Sequence, residues 1–357
     1  MKHFEVNLLD SIQKQPEIES HFKEEKKRGR PFFYFSLIIL LAVSLFFFNT
    51  VSGSNEVFFS LARLPIIREI AYLINFYNPS LKGEKEDRVN VLILGIGGEN
   101  HQGPYLADTI ILASLKPTTK KIALLSVPRD LYAPIKNFGW RKINAANALG
   151  MSNSGDGAKL TAEVVSDVFE LPVHYYFRVD FQLFKEIIDT LGGIEIDVER
   201  SFKDYQFPGP NFSYRVVSFE AGRQTMNGEK ALQYVRSRHG TNGESSDFAR
   251  SRRQQKIILA IKEKLVKEEI IKNPIELFKL YNLLTAKVET NLKIGEIVKL
   301  GEIFLGVSSD EIITQTLTAE ANGLLKSEIG IDGAYLLKPK NGNFEELANL
   351  AQNIFNL

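Results

Sequence analysis

A single uncharged apolar run, Phe32 to Phe48 (FFYFSLIILLAVSLFFF), is the strongest constraint in this 357-residue sequence. At about 1.5 Å per residue, a helix needs roughly 20 residues to cross the hydrocarbon core of a bilayer. The run extends through Asn49 and Thr50 to Val51. Ser36 and Ser44 can bond back to the helix backbone and do not spoil it. Lys23, Lys26, Lys27, Arg28 and Arg30 precede it, whereas the first basic residues after it are Arg63 and Arg68. The positive-inside rule therefore predicts a single-pass plasma-membrane protein with a cytoplasmic N-terminus and an extracytoplasmic C-terminal domain. The long preceding tail and the lack of an A-x-A site favour an uncleaved anchor over a signal peptide. The expected organisation is a disordered tail at 1–30, a transmembrane helix at 31–52, a juxtamembrane helix and linker at 53–87, and a folded domain at 88–357.

Composition narrows the chemistry of that domain. With 24% charged residues and a formal net charge of +1, the chain is not a globally basic nucleic-acid binder. An external domain also has no access to chromosomal DNA. There is no cysteine, which excludes disulfides, thiolate metal sites and thiol nucleophiles. The five histidines show no HExxH spacing.

Short apolar runs at 88–96, 109–115 and 121–127 read as strands buried on both faces, the last two forming a hairpin across Lys116-Pro117-Thr118-Thr119. Helical periodicity appears at 158–169, 181–191 and 227–237. A long helix is expected from Ser246 to about Lys267, another from Pro274, and further helix through about 305. A strand at 312–317 and a terminal helix at 344–355 complete the pattern. Alternation of strands and helices predicts an α/β fold, a mixed central sheet sandwiched by helices.

Four clusters carry candidate chemistry. Gly95-Ile96-Gly97-Gly98 follows the first strand, and Asp108-Thr109 opens the second; Asp108 is either a strand cap or a Mg²⁺ ligand. Ser126-Val127-Pro128-Arg129-Asp130 ends the third strand, where Arg129 either forks onto phosphate or pairs with Asp130. Trp140-Arg141-Lys142-Ile143-Asn144 reads as the opening of a helix, where cations sit against the dipole unless an anion joins them. The last cluster is Tyr234-Val235-Arg236-Ser237-Arg238-His239, followed by DFARSRRQQ at 247–255. Asp247, Arg250 and Gln254 share one helix face, suited to an anion-lined cleft or to a solvated surface.

In this order behind one membrane segment, the clusters resemble the LytR–CpsA–Psr family. The matching blocks are VLILGIGG, ADTIILASLKPTTKKIALLSVPRDLY, RKINAANALG, FRVDFQLFKEIIDTLGGIEIDV, MNGEKALQYVRSRH and DFARSRRQQK. The resemblance implies a membrane-anchored phosphotransferase that moves a glycopolymer phosphate from a polyprenyl-pyrophosphate carrier to peptidoglycan. It implies that Arg129, Arg236 and Arg238 clamp the pyrophosphate with Asp247 beside them. Lys142, Asn144, Arg250, Arg253 and Gln254 are then expected to contact or orient substrate, and Asp108 to bind Mg²⁺. Two positions depart from the family pattern: Gly97 replaces a second acidic metal ligand, for which Glu99 or His101 can substitute, and Leu106 replaces an arginine. A polyprenyl-pyrophosphate phosphatase using the same clamp, or a non-catalytic binding or regulatory protein of envelope assembly, are the alternatives.

Overall fold

The structure, a computed structural model, describes residues 79–99, 101–209, 213–267, 279–280, 282–284 and 287–357. The expected tail, membrane span and juxtamembrane helix, and the helix expected from Pro274, lie mostly or wholly outside these residues. Among the described residues, no helix is long and apolar enough to cross a membrane.

The centre is a mixed six-stranded sheet. Strands β1 (Val89–Ile96), β2 (Ala107–Lys116) and β3 (Lys121–Ser126) form an antiparallel meander. Strand β6 (Tyr175–Asp180) adds parallel to β1, β12 (Ile312–Thr316) adds parallel to β3, and the short β11 (Glu289–Thr290) closes the β6 edge. Most residues of β1 to β3 are buried, on both faces of the strands, as expected for a covered sheet. Gln255 stitches the β3 and β12 backbones together, its Nε2 donating to the carbonyls of Leu124 and Gln315 and to Ser126 Oγ.

Helices α1 (Ala145–Ser154), α2 (Gly157–Phe169) and α7 (Glu345–Gln352) cover one face of the sheet, burying Leu92, Leu112, Leu125, Val165 and Phe169 in one core. The other face is covered by α5 (Asp247–Lys267) and α6 (Ile294–Gly306), over Val91, Ile111, Leu124 and Tyr175. Beside them, α3 (Phe181–Thr190) and α4 (Gly228–Arg236) pack with β7 (Ile194–Val198), β10 (Gly222–Met226) and the hairpin β8 (Phe202–Pro208) to β9 (Tyr214–Phe219) around a third core. Helices α2 to α5 start where short polar side chains cap them. Asp156, Asp180, Asn227 and Ser246 each accept a backbone N–H from the residue three positions on.

Two expectations need correction. Residues 140–144 do not open a helix: Gly139–Lys142 is strand β5, paired antiparallel with β4 (Tyr132–Ile135), and α1 begins only at Ala145. Asn137, at φ +68°, and Gly139, at +74°, supply the left-handed turn between them. Nor is 79–87 a free linker. Leu81 is buried in the core, the Lys82 N–H donates to Tyr175 Oη at 2.8 Å, and Glu84 pairs with Lys299 at 2.7 Å. A last hairpin, β13 (Leu325–Ile329) to β14 (Tyr335–Pro339), borders β4 through a bridge between Leu131 and Leu337.

Candidate active site

A cavity of about 530 Å³ opens between the sheet and helices α3, α4 and α5. Helix α5 shows how it is graded. Arg250 comes first on the cavity side with Asp247 paired behind it, Gln254 lies a turn deeper, and Ile257, Ile258 and Ile261 follow. Spacings of three and four keep these residues on one face, so a single helix carries the wall from charged to apolar. Phe181, Phe184 and Ile187 of α3, with Leu232 and Val235 of α4, complete the apolar body.

The charged end is assembled from four places. Asp108 sits at a β-bulge, where the β1–β2 register slips between Gly95 and Ile96. Bulges re-aim side chains, and here the carboxylate meets the cavity. Arg129 follows β3 in a tight turn, with the Leu131 N–H on the Pro128 carbonyl at 3.0 Å. Arg236 ends α4, where the helix dipole favours a cation. Arg238 stands in the next loop, held by a residue that local pattern does not reveal. The buried Asp204 of β8 accepts the backbone N–H groups of Arg238 and His239 at 3.0 and 3.2 Å. Asp204 is an isolated acid in a strand, and only the strand-to-loop contact shows its role.

Asp247 is the hub. It takes two hydrogen bonds from Arg238, at 2.7 and 3.1 Å, and lies 3.2 Å from Arg250 and 3.7 Å from Arg129. Burial opposes its charge, but Arg250, Arg238 and Arg129 outweigh that and hold its carboxyl below the usual range. Burial likewise opposes the charge of Arg129, but Asp108, Asp247 and Asp130 together raise its pKa. Arg129 also donates to Asp108. Burial dominates at Arg250 and pushes its pKa down to about 10, against the pull of Asp247. Burial also lowers Arg236, with Asp108 opposing. The Arg236 guanidinium lies over the rings of Phe181 and Phe207, at 4.3 and 5.4 Å. The Nε atoms of Arg129 and Arg250 are buried with no hydrogen-bond acceptor. Four arginines therefore face Asp108 and Asp247 with positive charge in excess and donors unspent, a setting suited to a polyanion.

The expected site residues divide into two groups. Asp108, Arg129, Arg236, Arg238, Arg250 and Gln254 line the cavity, and Asp247 ties the arginines together. Lys142, Asn144 and Arg253 do not line it. The Lys142 ammonium is 2.7 Å from Asp130 Oδ1. Asn144 is buried and links turns through its backbone, to the Ala107 N–H and the Arg129 carbonyl. Arg253, expected on the substrate, donates to the carbonyls of Tyr234 and Ser237 and pairs with Glu244. It pins the loop that carries Arg238 from behind.

For a metal, the donor set is thin. Among the described residues no three acidic or histidine side chains gather. Of the cavity-lining carboxylates, Asp180 caps α3 and Asp204 accepts two backbone N–H groups, which leaves Asp108 as the candidate ligand. A single protein carboxylate suits a Mg²⁺ shared with phosphate oxygens more than an all-protein cage. Glu99 is exposed. His101 takes the space above Gly97, where a Cβ would lie 2.8 Å from its own Cβ, and its ring meets Phe181 edge-on at 4.8 Å. Burial, then Arg236 and Lys185, lower the His101 pKa and keep the imidazole neutral.

Comparison with known proteins places this architecture. The chain is 27% identical over 325 residues to the polyisoprenyl-teichoic acid–peptidoglycan teichoic acid transferase TagV of Bacillus subtilis, covering 89% of this chain and 76% of that protein. It is 28% identical over 293 residues to the regulatory protein MsrR of Staphylococcus aureus strain Mu50, covering 77% and 83%. The crystal structure of B. subtilis TagV superimposes with a TM-score of 0.58 at 28% identity, covering 76% of this chain and 98% of that one. The model of the LytR_cpsA_psr family matches residues 69–353, and the chain belongs to that family.

Proposed function

We propose that this protein transfers a glycopolymer phosphate from a polyprenyl-pyrophosphate carrier to peptidoglycan, as the name of its TagV relative describes for teichoic acid. The observation that carries the reading is the graded cavity: an apolar body ending at four arginines, two of which keep buried donors unspent. A polyprenyl pyrophosphate has the same grading, a hydrocarbon chain ending in a polyanion.

The prenyl chain fills the apolar body against α3, α4 and α5. Arg129, Arg236, Arg238 and Arg250 neutralise the pyrophosphate, and Asp247 keeps the guanidiniums apart and oriented. An acceptor hydroxyl attacks the phosphorus that bears the glycan. The new P–O bond forms as the bond to the lipid phosphate breaks, the hydroxyl proton is lost, and polyprenyl phosphate leaves. This chemistry needs positioning and charge neutralisation more than a covalent residue. When bound, Mg²⁺ would neutralise phosphate charge further, with Asp108 as its protein ligand. The N-terminal apolar run anchors the chain in the membrane from which the substrate comes.

The test uses the full-length protein in vesicles with a polyprenyl-pyrophosphate-linked oligosaccharide, peptidoglycan fragments and Mg²⁺, followed by mass spectrometry. Sugar phosphate joined covalently to peptidoglycan is the expected product. Sugar phosphate released to water would replace transfer with hydrolysis.

A further inference from the structure

The hairpin β4–β5 carries a surface that the phosphate chemistry does not use. Side chains alternate along a strand. Ala133 and Ile135 point into the core on the α1–α2 side of the sheet. Tyr132, Pro134, Trp140 and Lys142 therefore share the outer face, paired as Tyr132 with Lys142 and Pro134 with Trp140. Trp140 is 54% exposed. Its ring stacks on Phe344 at 6.1 Å and 14°, and lies against Tyr132 at 5.5 Å. An indole held rigidly by two other rings yet left in water marks a contact surface.

This surface adjoins the clamp. Lys142, at its end, bonds Asp130, the neighbour of Arg129, with Asp130 Oδ2 3.6 Å from Arg129 Nε. Tyr335, 43% exposed, lies near enough to Asp130 and Asp247 that, after burial, their charges raise its pKa. Lys338 sits 5.3 Å over the Tyr132 ring while pairing with Glu328 at 2.7 Å, and Arg141, on the opposite face of the hairpin, is exposed with its Nε on the Phe138 carbonyl.

We propose that Trp140, backed by Tyr132 and Phe344, is the stacking platform for a sugar of the acceptor glycan strand. This rests on the transfer reading above and adds the place where the acceptor lies. In-line displacement brings the nucleophile in opposite the leaving group. The leaving polyprenyl phosphate lies in the apolar body on the α5 side, so the acceptor approaches from the hairpin side. A pyranose ring offers an apolar C–H face to a flat indole. Lys142 and Lys338, at the edge of the platform, match the carboxylates that a peptidoglycan strand carries.

Trp140 is the single tryptophan of the chain, so its emission reports on this spot alone. Peptidoglycan disaccharide and tetrasaccharide fragments are titrated into the full-length protein, with octaprenyl pyrophosphate as the control. The expected result is a saturable blue shift with the sugars and none with the lipid, whether or not transfer is observed. In the transfer assay, Trp140→Ala raises the KM for the acceptor about tenfold, an aromatic contact of about 1.4 kcal/mol. Affinity for octaprenyl pyrophosphate stays unchanged, and Trp140→Phe recovers part of the loss. Emission that ignores the acceptor sugars overturns the proposal. So does a shift seen only with the donor glycolipid, which makes the platform a donor site, or one that follows protein concentration alone, which makes it a contact between two copies.

Discussion

Asp247 shows how one carboxylate can set the geometry of several cations. Its partner Arg250 is 5% exposed, so removing the counter-charge leaves a guanidinium stranded in a low-dielectric site. Asp247→Asn is expected to cost about 3 kcal/mol of stability in denaturant unfolding and to abolish transfer. Adding Arg250→Met should recover part of the stability but none of the activity. An Asn variant as stable as wild type would mean that the arginines are held elsewhere. The pH dependence follows from direction. The Asp247 pKa is lowered from its ordinary 3.8. Its contribution is therefore complete above about pH 4 and lost as pH falls through the folded-state value. Wild type should lose stability more steeply than Asp247→Asn below pH 4, and parallel acid unfolding curves would contradict this. At Asp108, replacement by Ala should weaken the Mg²⁺ dependence of transfer, read as a metal titration whose midpoint rises; an unchanged midpoint removes Asp108 as a ligand.

At the scale of elements, α5 does two jobs with one sequence. Its first two turns carry the clamp and its next two carry the apolar wall, while its other face holds Arg253 and Gln255 as internal fasteners. Helix α3 supplies the facing wall, and its residue Ile187 lines the cavity while remaining only partly buried. Ile187→Asp is expected to keep the fold. It should erase the gain in affinity from longer prenyl chains, worth up to about 0.8 kcal/mol per buried methylene. Binding of inorganic pyrophosphate should be unaffected. Equal losses for short and long chains would place the lipid elsewhere. The hairpin β4–β5 was not legible as strands because Tyr-Ala-Pro-Ile and Gly-Trp-Arg-Lys are short and carry a proline and a glycine, which demote a strand pattern. With the hairpin in view, Lys142 stands on an edge strand rather than at a helix start, and the argument from the helix dipole does not apply to it.

For the whole molecule, the clamp's excess positive charge is a stability term as well as a binding one. Arg250, lowered to about 10 by burial, is still charged at neutral pH, and a bound anion would offset part of its desolvation cost. Inorganic pyrophosphate at about a hundred times its Kd should stabilise the fold by about 2.7 kcal/mol, raising the Tm by several degrees. Monovalent salt at matched ionic strength should not, and equal shifts would reduce the effect to screening. The membrane topology is tested by C-terminal reporter fusions. A reporter active only outside the cytoplasm is expected, and a cytoplasmic signal would separate the clamp from any external acceptor.

The sequence by itself determined much of this protein. Continuous apolar runs announced the central strands, three- and four-residue spacing announced α2 to α5, and the density of arginines at 236–254 announced the charged end of the cavity. Those signals are local: burial on both faces, helical period and charge are written within a few residues of each other. Tertiary structure alone decided which arginines serve the cavity. Arg250 and Arg253 lie three residues apart on one helix, yet one faces the clamp and the other is consumed by the loop behind it, because packing sets the rotation of α5. It alone aimed Asp108 through a bulge, recruited Asp204 from β8 to hold the Arg238 loop, and lifted Trp140 into water beside the clamp. Each of these depends on pairs of segments distant in the chain, and the direction in which a side chain points is settled only when such segments meet.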